Sequence, residues 1–257
     1  MTPTAGEFFV DGVRIAYRRQ GRGPLLLILP GNTASSAHHT GELEYFGAEF
    51  LAVAPDFRGT GRSDRLATWP VDWYQRCAHD MAALVTHLGA EHCLVIGTSG
   101  GAIVALWLAI LHPEIVRAAI ADSTVAAYPP AWLHRAMDTR LAQSPGQVHF
   151  WQGAHGDDWA QVIDADTAML RGIAERGGEL FAGRLGEIRC PVLVTASLGD
   201  TVLPSVGASQ LALLEQIPDS RLFLTKQGDH PLMWSNAGEF RRAADAFLQS
   251  LSVICDA

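Results

Sequence analysis

A serine set among glycines is the first feature of the sequence that could do chemistry. The segment Gly97-Thr98-Ser99-Gly100-Gly101 follows the apolar run Cys93 to Ile96 and precedes an apolar helical stretch. A serine on a sharp strand-to-helix turn projects its hydroxyl above the sheet, and the flanking glycines let the crowded backbone close. The G-x-S-x-G pattern alone is weak, because a chain with 25 glycines matches it easily by chance. Its position between a strand and a helix makes Ser99 the candidate nucleophile.

A serine hydroxyl reacts only when a base takes its proton, so a histidine must reach Ser99. Of the ten histidines, His230 has the most informative position. It lies in Gly228-Asp229-His230-Pro231, after the last strand-like run and before the final helix. This position is a loop at the carboxyl edge of the predicted sheet, on the side where Ser99 emerges. We therefore predict that His230 is the base.

A carboxylate must hold the tautomer of that histidine. Asp200 lies in a loop after the strand-like run Pro191 to Ala196, also at the carboxyl edge. Two other aspartates remain open as alternatives: Asp122, which directly follows the strand-like run Val116 to Ala121, and Asp229, which adjoins the histidine. With Asp200 as the acid, the chain order is serine, aspartate, histidine, the order found in α/β hydrolases.

Short, continuously apolar runs alternate with amphipathic stretches along the chain. Asp11-Gly12 joins two β-type runs and predicts an opening antiparallel hairpin. The later apolar runs predict strands that are buried on both faces of a mostly parallel sheet. They are Leu25 to Leu29, Leu51 to Ala54, Cys93 to Ile96, Val116 to Ala121, Pro191 to Ala196 and Arg221 to Leu224. Helices are predicted at Trp73 to Leu88, Ala102 to His112, Ser205 to Gln216 and Ala237 to Leu251. This alternation predicts a doubly wound α/β fold.

One connection is too long for a plain loop. Residues 124–188 contain no strand-like run but several helix-like pieces, separated by proline and glycine pairs. We predict a helical cap subdomain there, inserted into an α/β core made of residues 1–123 and 189–257.

Composition excludes several classes of function. Lys226 is the only lysine, so no phosphate-binding P-loop is present. The net charge of −8 and the absence of a basic run argue against nucleic-acid and anionic-lipid partners. The run Cys93 to Pro113 lacks charge, but its glycines predict a strand, a turn and a buried helix and not a membrane span. The N-terminus has no signal pattern, so we expect a cytoplasmic protein without a membrane anchor.

The four cysteines show no metal-binding or redox spacing and are expected to be reduced and mostly buried. Asp157, Asp158, Asp164 and Asp166 are expected to be solvated charges near a helix start and not a cation site. The sequence thus predicts neither a metal nor another cofactor.

Four landmarks give the chain a family resemblance. They are Pro30-Gly31-Asn32, the segment Asp56 to Asp64, the Ser99 turn, and the loops of Asp200 and His230. Together they resemble the α/β-hydrolase fold superfamily along nearly the whole chain. The resemblance implies an oxyanion hole formed by the backbone amides of Gly100 and Asn32, with Thr33 as the alternative to Asn32. Many members have His-Gly where this chain has Pro30-Gly31.

The resemblance also implies a function. We expect a serine hydrolase that cleaves a small to medium, mainly uncharged carboxylic ester or lactone through an acyl-enzyme on Ser99. Carbon–carbon bond hydrolysis with the same triad is the alternative, followed by a non-catalytic ligand receptor. The expected partner is a small-molecule substrate, and a homodimer is left open. The candidate substrate-binding residues are Thr33, Trp132, Trp151, Trp159 and Met233, although aromatic residues in a small cap often pack its own core.

Overall fold

A computed structural model describes the backbone of residues 2–255 and the side chains of residues 2–251. Eight strands form one sheet in the order β1-β2-β4-β3-β5-β6-β7-β8. They are β1 (Thr4–Val10), β2 (Val13–Gln20), β3 (Leu25–Leu29), β4 (Leu51–Pro55), β5 (Cys93–Thr98), β6 (Val116–Asp122), β7 (Val192–Ser197) and β8 (Ser220–Thr225). The mostly parallel α/β fold predicted from the alternating apolar runs is confirmed.

The antiparallel part of the sheet comes from the opening hairpin. Val10 pairs with Val13 across the two-residue turn, and both turn residues, Asp11 and Gly12, have positive φ. This conformation suits the right-handed twist of the flanking strands. β2 also pairs antiparallel with β4, and all pairs from β4 to β8 are parallel. The carboxyl ends of the parallel strands therefore share one edge, where the candidate residues lie.

Both faces of the sheet are covered, which explains the uninterrupted apolar runs. In β3, Leu25, Leu27 and Leu29 pack into one apolar cluster, whereas Leu26 and Ile28 pack into a second cluster on the other face. A strand with a period of two residues can be apolar at every position only when both faces are buried.

Nine α-helices are described. They are α1 (Thr40–Phe46), α2 (Trp73–His87), α3 (Gly100–Leu111), α4 (Pro130–Leu141), α5 (Pro145–His155), α6 (Trp159–Glu175), α7 (Val206–Gln216), α8 (Leu232–Ser235) and α9 (Ala237–Cys255). The sequence did not predict α1 or the single turn of α8. The uncharged run from Cys93 forms β5, a turn and the buried helix α3. Among the described residues, no helix has the length and apolar character needed to cross a membrane.

Helices α4, α5 and α6 lie between β6 and β7, in the segment predicted to be a cap. Their apolar side chains are continuous with the larger core cluster. Met137 and Met169 from these helices belong to the same cluster as Trp73 of α2 and Trp107 of α3. Helices α4 and α6 are thus packed onto the side of the sheet that carries α2 and α3. Cys77, Cys93 and Cys190 are buried and free, and the side chain of Cys255 lies outside the described part.

Candidate active site

Ser99 sits at the turn between β5 and α3 in a strained backbone conformation. Its φ and ψ are 52° and −120°, values that non-glycine residues rarely adopt. Gly97 and Gly101 make this turn possible. A Cβ at Gly97 would collide with the carbonyl oxygen of Gly101, and a Cβ at Gly101 would collide with that of Leu29. The glycine pattern seen in the sequence is therefore a steric requirement of the turn that presents the Ser99 hydroxyl.

The structure brings Ser99, His230 and Asp200 together in one hydrogen-bonded chain. His230 Nε2 lies 3.0 Å from Ser99 Oγ, and His230 Nδ1 lies 2.8 Å from Asp200 Oδ2. The other carboxylate oxygen of Asp200 accepts hydrogen bonds from the amides of Val202 (2.8 Å) and Leu203 (2.9 Å). These amides fix the carboxylate, which in turn orients the imidazole with Nε2 toward the serine.

The two alternative aspartates do not contact the imidazole. Asp122 is fully buried below the histidine loop and accepts hydrogen bonds from Thr98, Thr195 and the amide of Met233. Burial raises the pKa of its carboxyl to about 6. Asp229 is exposed and accepts a hydrogen bond from the Thr201 amide, which lowers its pKa. Both aspartates hold loops, and only Asp200 reaches His230 Nδ1.

Two backbone amides lie close to the serine and form a candidate oxyanion hole. A Cβ built on Gly100 would stand 3.0 Å from the backbone nitrogen of Asn32, so the two residues are adjacent. Within the described residues, neither amide has a hydrogen-bond acceptor. Gly100 is also the first residue of α3, where the helix dipole favours negative charge. Thr33, the alternative donor, has its carbonyl oxygen 3.1 Å from Nε2 of His155.

Comparison with known proteins decides the family. The family model for the alpha/beta hydrolase fold matches residues 24–158, which is more than half of the chain. The chain belongs to this family. Serine hydrolase BPHL of Mus musculus is 28% identical over 264 residues, covering 96% of this chain and 87% of the mouse protein. Putative carbamate hydrolase RutD of Agrobacterium fabrum is 28% identical over 236 residues, covering 83% of this chain and 88% of that protein.

The solved structures agree in fold. The crystal structure of E-2-(acetamidomethylene)succinate hydrolase superposes with a TM-score of 0.78 at 20% identity, covering 96% of this chain and 99% of that one. The resemblance inferred from the four landmarks is confirmed. As a member of this family, the protein is a hydrolase.

The Asn32 loop of the hydrolase is tied to the inserted helices. The side-chain oxygen of Asn32 accepts a hydrogen bond from the Tyr74 hydroxyl (3.0 Å), and the side-chain nitrogen Nδ2 of Asn32 donates to Asp166 of α6. The other oxygen of Asp166 pairs with Arg140 of α4. Asp166 is fully buried, so the expectation of a solvated charge was wrong for this residue.

A signal for Asp166 was present in the sequence. The buried apolar residues of α6 are Val162, Ile163, Met169, Leu170, Ile173 and Ala174. Asp166 falls within this series at three- and four-residue spacing, on the apolar face of the helix. A carboxylate on such a face needs a buried hydrogen-bond or ion-pair partner. The position of Asp166 in the apolar pattern of the helix therefore predicts such a partner.

The hydrolase has a cavity of about 440 Å³ that includes Ser99 in its wall. Thr33, Trp132 and Trp151 line it, as the sequence led us to expect of substrate-binding residues. The structure places the other two candidates elsewhere. Trp159 stacks on Trp151 with ring centroids 5.4 Å apart and does not line the cavity, and Met233 packs into the apolar cluster on the opposite face of the sheet.

Sequence reasoning missed five polar residues in the cavity wall: Tyr74, Tyr128, Thr139, Arg140 and Gln147. The two tyrosines are buried, and burial raises the pKa of each hydroxyl, so both stay neutral hydrogen-bonding groups.

Proposed function

We propose that the hydrolase cleaves a carboxylic ester or lactone through an acyl-enzyme on Ser99. One observation carries this proposal: the hydrogen-bonded chain from Asp200 through His230 to Ser99 lies beside the amides of Asn32 and Gly100, which have no acceptor among the described residues. A nucleophile, its base, a group that orients the base and an anion-stabilising pair of donors are the parts that acyl transfer requires.

In the first half-reaction, Ser99 Oγ attacks the substrate carbonyl while His230 Nε2 takes the hydroxyl proton. The carbonyl oxygen becomes an oxyanion, and the amides of Asn32 and Gly100 donate hydrogen bonds to it. Asp200 stabilises the imidazolium that forms. When the tetrahedral intermediate collapses, the bond to the alcohol oxygen breaks and His230 returns the proton to that oxygen. The alcohol leaves, or in a lactone it stays attached to the acyl chain.

In the second half-reaction, water replaces the alcohol. His230 takes a proton from water, the hydroxide oxygen bonds to the acyl carbon, and a second oxyanion occupies the same two amides. Collapse breaks the bond to Ser99 Oγ, which recovers its proton from His230. The products are a carboxylic acid and the free enzyme, and no other reactant is consumed.

A carbamate is the second candidate substrate class. Its carbonyl accepts the same attack, and the 28% identity to the putative carbamate hydrolase RutD supports testing it. The cavity of about 440 Å³ has room for a small to medium molecule of either kind.

The test combines covalent labelling with turnover. We expect a fluorophosphonate probe to label the wild-type protein and S250A but not S99A, because Ser250 lies in α9 and binds Arg221 away from the cavity. With a series of 4-nitrophenyl esters from acetate to octanoate, and with 4-nitrophenyl carbamates, we expect S99A to lower kcat at least about 10³-fold. Equal turnover by S99A and wild type on every substrate would refute the proposal.

A further inference from the structure

Arg140 is the one charged side chain among the described residues that line the cavity. The rest of the wall is built mainly from aromatic, aliphatic and neutral polar groups, and the serine hydroxyl faces the same space. A guanidinium in such surroundings is weakly screened by water, so its interaction with an anion is stronger there than at the surface. A charge in this position needs an explanation beyond packing.

Only part of the Arg140 guanidinium is used by the protein. Nη1 donates to Asp166 and, over 3.1 Å, to the hydroxyl of Thr167. Nε and Nη2, which carry three of the five guanidinium hydrogens, have no acceptor among the described residues. The side chain is 17% exposed. The unused donors of Arg140 are therefore available to a molecule in the cavity.

Asp166 supports Arg140 without offering its own charge to the cavity. Its carboxylate is fully buried, and its two oxygens bind Asn32 on one side and Arg140 on the other. It is absent from the cavity wall, whereas Arg140 and Ser99 both belong to it. An arginine that is fixed through one nitrogen presents its remaining N–H groups in a set direction, which suits a carboxylate.

We propose that Arg140 forms an anion subsite that binds a carboxylate of the substrate. The substrate is then an ester or lactone that carries a free carboxylate besides the scissile carbonyl, in place of the mainly uncharged molecule expected from the sequence. This inference rests on the proposed function for the identity of the scissile bond. A structural role for Arg140, limited to neutralising Asp166, is the competing explanation.

Matched substrate pairs test the subsite. One pair places the carboxylate on the acyl side, mono-4-nitrophenyl adipate against its methyl ester. The other places it on the leaving group, 4-acetoxybenzoate against methyl 4-acetoxybenzoate. For at least one pair, we expect wild-type kcat/KM to be about tenfold or more higher for the acid. R140Q should lower the ratio of acid to methyl ester at least about tenfold, mainly through KM.

Arg135 provides the matched control. It is exposed on the same helix and does not line the cavity, so R135Q removes one positive charge near the site without removing the subsite. R135Q should keep the wild-type ratio. Wild-type ratios near one for both pairs, or equal losses for acid and methyl ester in R140Q, would overturn the subsite and leave Arg140 with a structural role.

Two further measurements test the subsite if R140Q folds poorly or if the proposed function is wrong. R140Q leaves the buried Asp166 carboxylate without its cation, so R140Q/D166N, which removes both charges, is measured beside it. If neither variant folds, inhibition of wild-type turnover of the methyl esters by free adipate decides the question. If no ester is cleaved, calorimetric titration of S99A, S99A/R135Q and S99A/R140Q with adipate still reports on the subsite. Saturable binding that is lost only in S99A/R140Q supports it, whereas absence of binding to S99A, or equal binding to all three, refutes it.

Discussion

At the scale of single residues, the site depends on the absence of a side chain at Gly100. A Cβ there would collide with the side-chain oxygen of Asn32 and approach its backbone nitrogen to 3.0 Å. The Asn32 side chain thus occupies space that a larger residue after Ser99 would take. Because Asn32 is also held by Tyr74 and Asp166, it has little freedom to move aside.

This geometry gives a prediction for G100A. The added methyl group must push the Asn32 loop away from α3, which misplaces one of the two amides that we propose as oxyanion donors. Loss of one such donor costs about 10²- to 10³-fold in kcat, and we expect a loss of about 10²-fold with a smaller change in KM. Steady-state kinetics on 4-nitrophenyl acetate measures it, and circular dichroism checks folding.

Gly207 is the control for G100A. It lies in α7, and a Cβ there would make only an ordinary contact, 3.8 Å from Leu198. G207A should retain wild-type kcat. A folded G100A with unchanged kcat would show that the amides of Asn32 and Gly100 do not stabilise the oxyanion together.

At the scale of elements, His155 joins the inserted helices to two loops of the sheet. It is the last residue of α5, and Nδ1 accepts a hydrogen bond from the Gly61 amide (3.0 Å) while Nε2 faces the Thr33 carbonyl (3.1 Å). This arrangement requires the neutral ring, because protonation of Nδ1 removes the acceptor for Gly61. Burial, with smaller contributions from Arg65 and His38, lowers the pKa of His155 to about 4.

The lowered pKa predicts a pH-dependent stability. Between pH 6.5 and pH 4 the unfolded chain binds a proton at His155 that the folded chain does not, so stability from this residue is complete above about pH 6.5 and falls as the pH is lowered. At about 1.4 kcal/mol per pKa unit, we expect a loss of about 2 kcal/mol between pH 7.5 and pH 5. Urea unfolding of wild type and H155Q at both pH values measures it.

The difference between the two proteins isolates His155. Asp122, whose pKa burial raises to about 6, acts in the opposite direction, but it is present in both proteins and cancels. The free-energy advantage of wild type over H155Q should shrink by about 2 kcal/mol at the lower pH. H134Q, a substitution at an exposed position of α4, serves as the control for loss of a histidine. An advantage over H155Q that stays the same at both pH values would contradict the prediction.

The sequence could predict where Ser99, His230 and Asp200 lie, but it could not predict the partners of Asp166. Local signals placed Ser99, His230 and Asp200, because each follows an apolar run and therefore shares the carboxyl edge of the sheet. The partners of Asp166 could not be predicted in the same way. Arg140 and Asn32 reach it from 26 and 134 residues away, through packing of the inserted helices that no local pattern encodes. The central strands β3 to β7 were predictable because burial on both faces leaves a continuous apolar run.

At the scale of the whole molecule, helices α4 and α6 of the insertion and the sheet share one apolar core. Met137 and Met169 from the insertion belong to the same cluster as Trp73 and Trp107. Polar contacts add to this continuity, since Trp107 Nε1 donates to the carbonyl of Leu180 over 3.0 Å. Two regions that share a core lose it together when either one unfolds, which favours a single cooperative transition.

We therefore expect one unfolding transition, with equal urea midpoints by tryptophan fluorescence, far-UV circular dichroism and loss of ester turnover.

A substitution remote from the insertion tests whether the insertion and the sheet unfold together. Arg58 and Asp80 form a buried ion pair with contacts of 2.5 and 2.6 Å, and Asp80 lies in α2. D80A leaves Arg58 buried without its partner and should cost about 3–5 kcal/mol. Because the core is shared, all three midpoints should fall by the same amount. If turnover is lost and the fluorescence changes at a lower urea concentration than the circular dichroism does, the inserted helices unfold on their own.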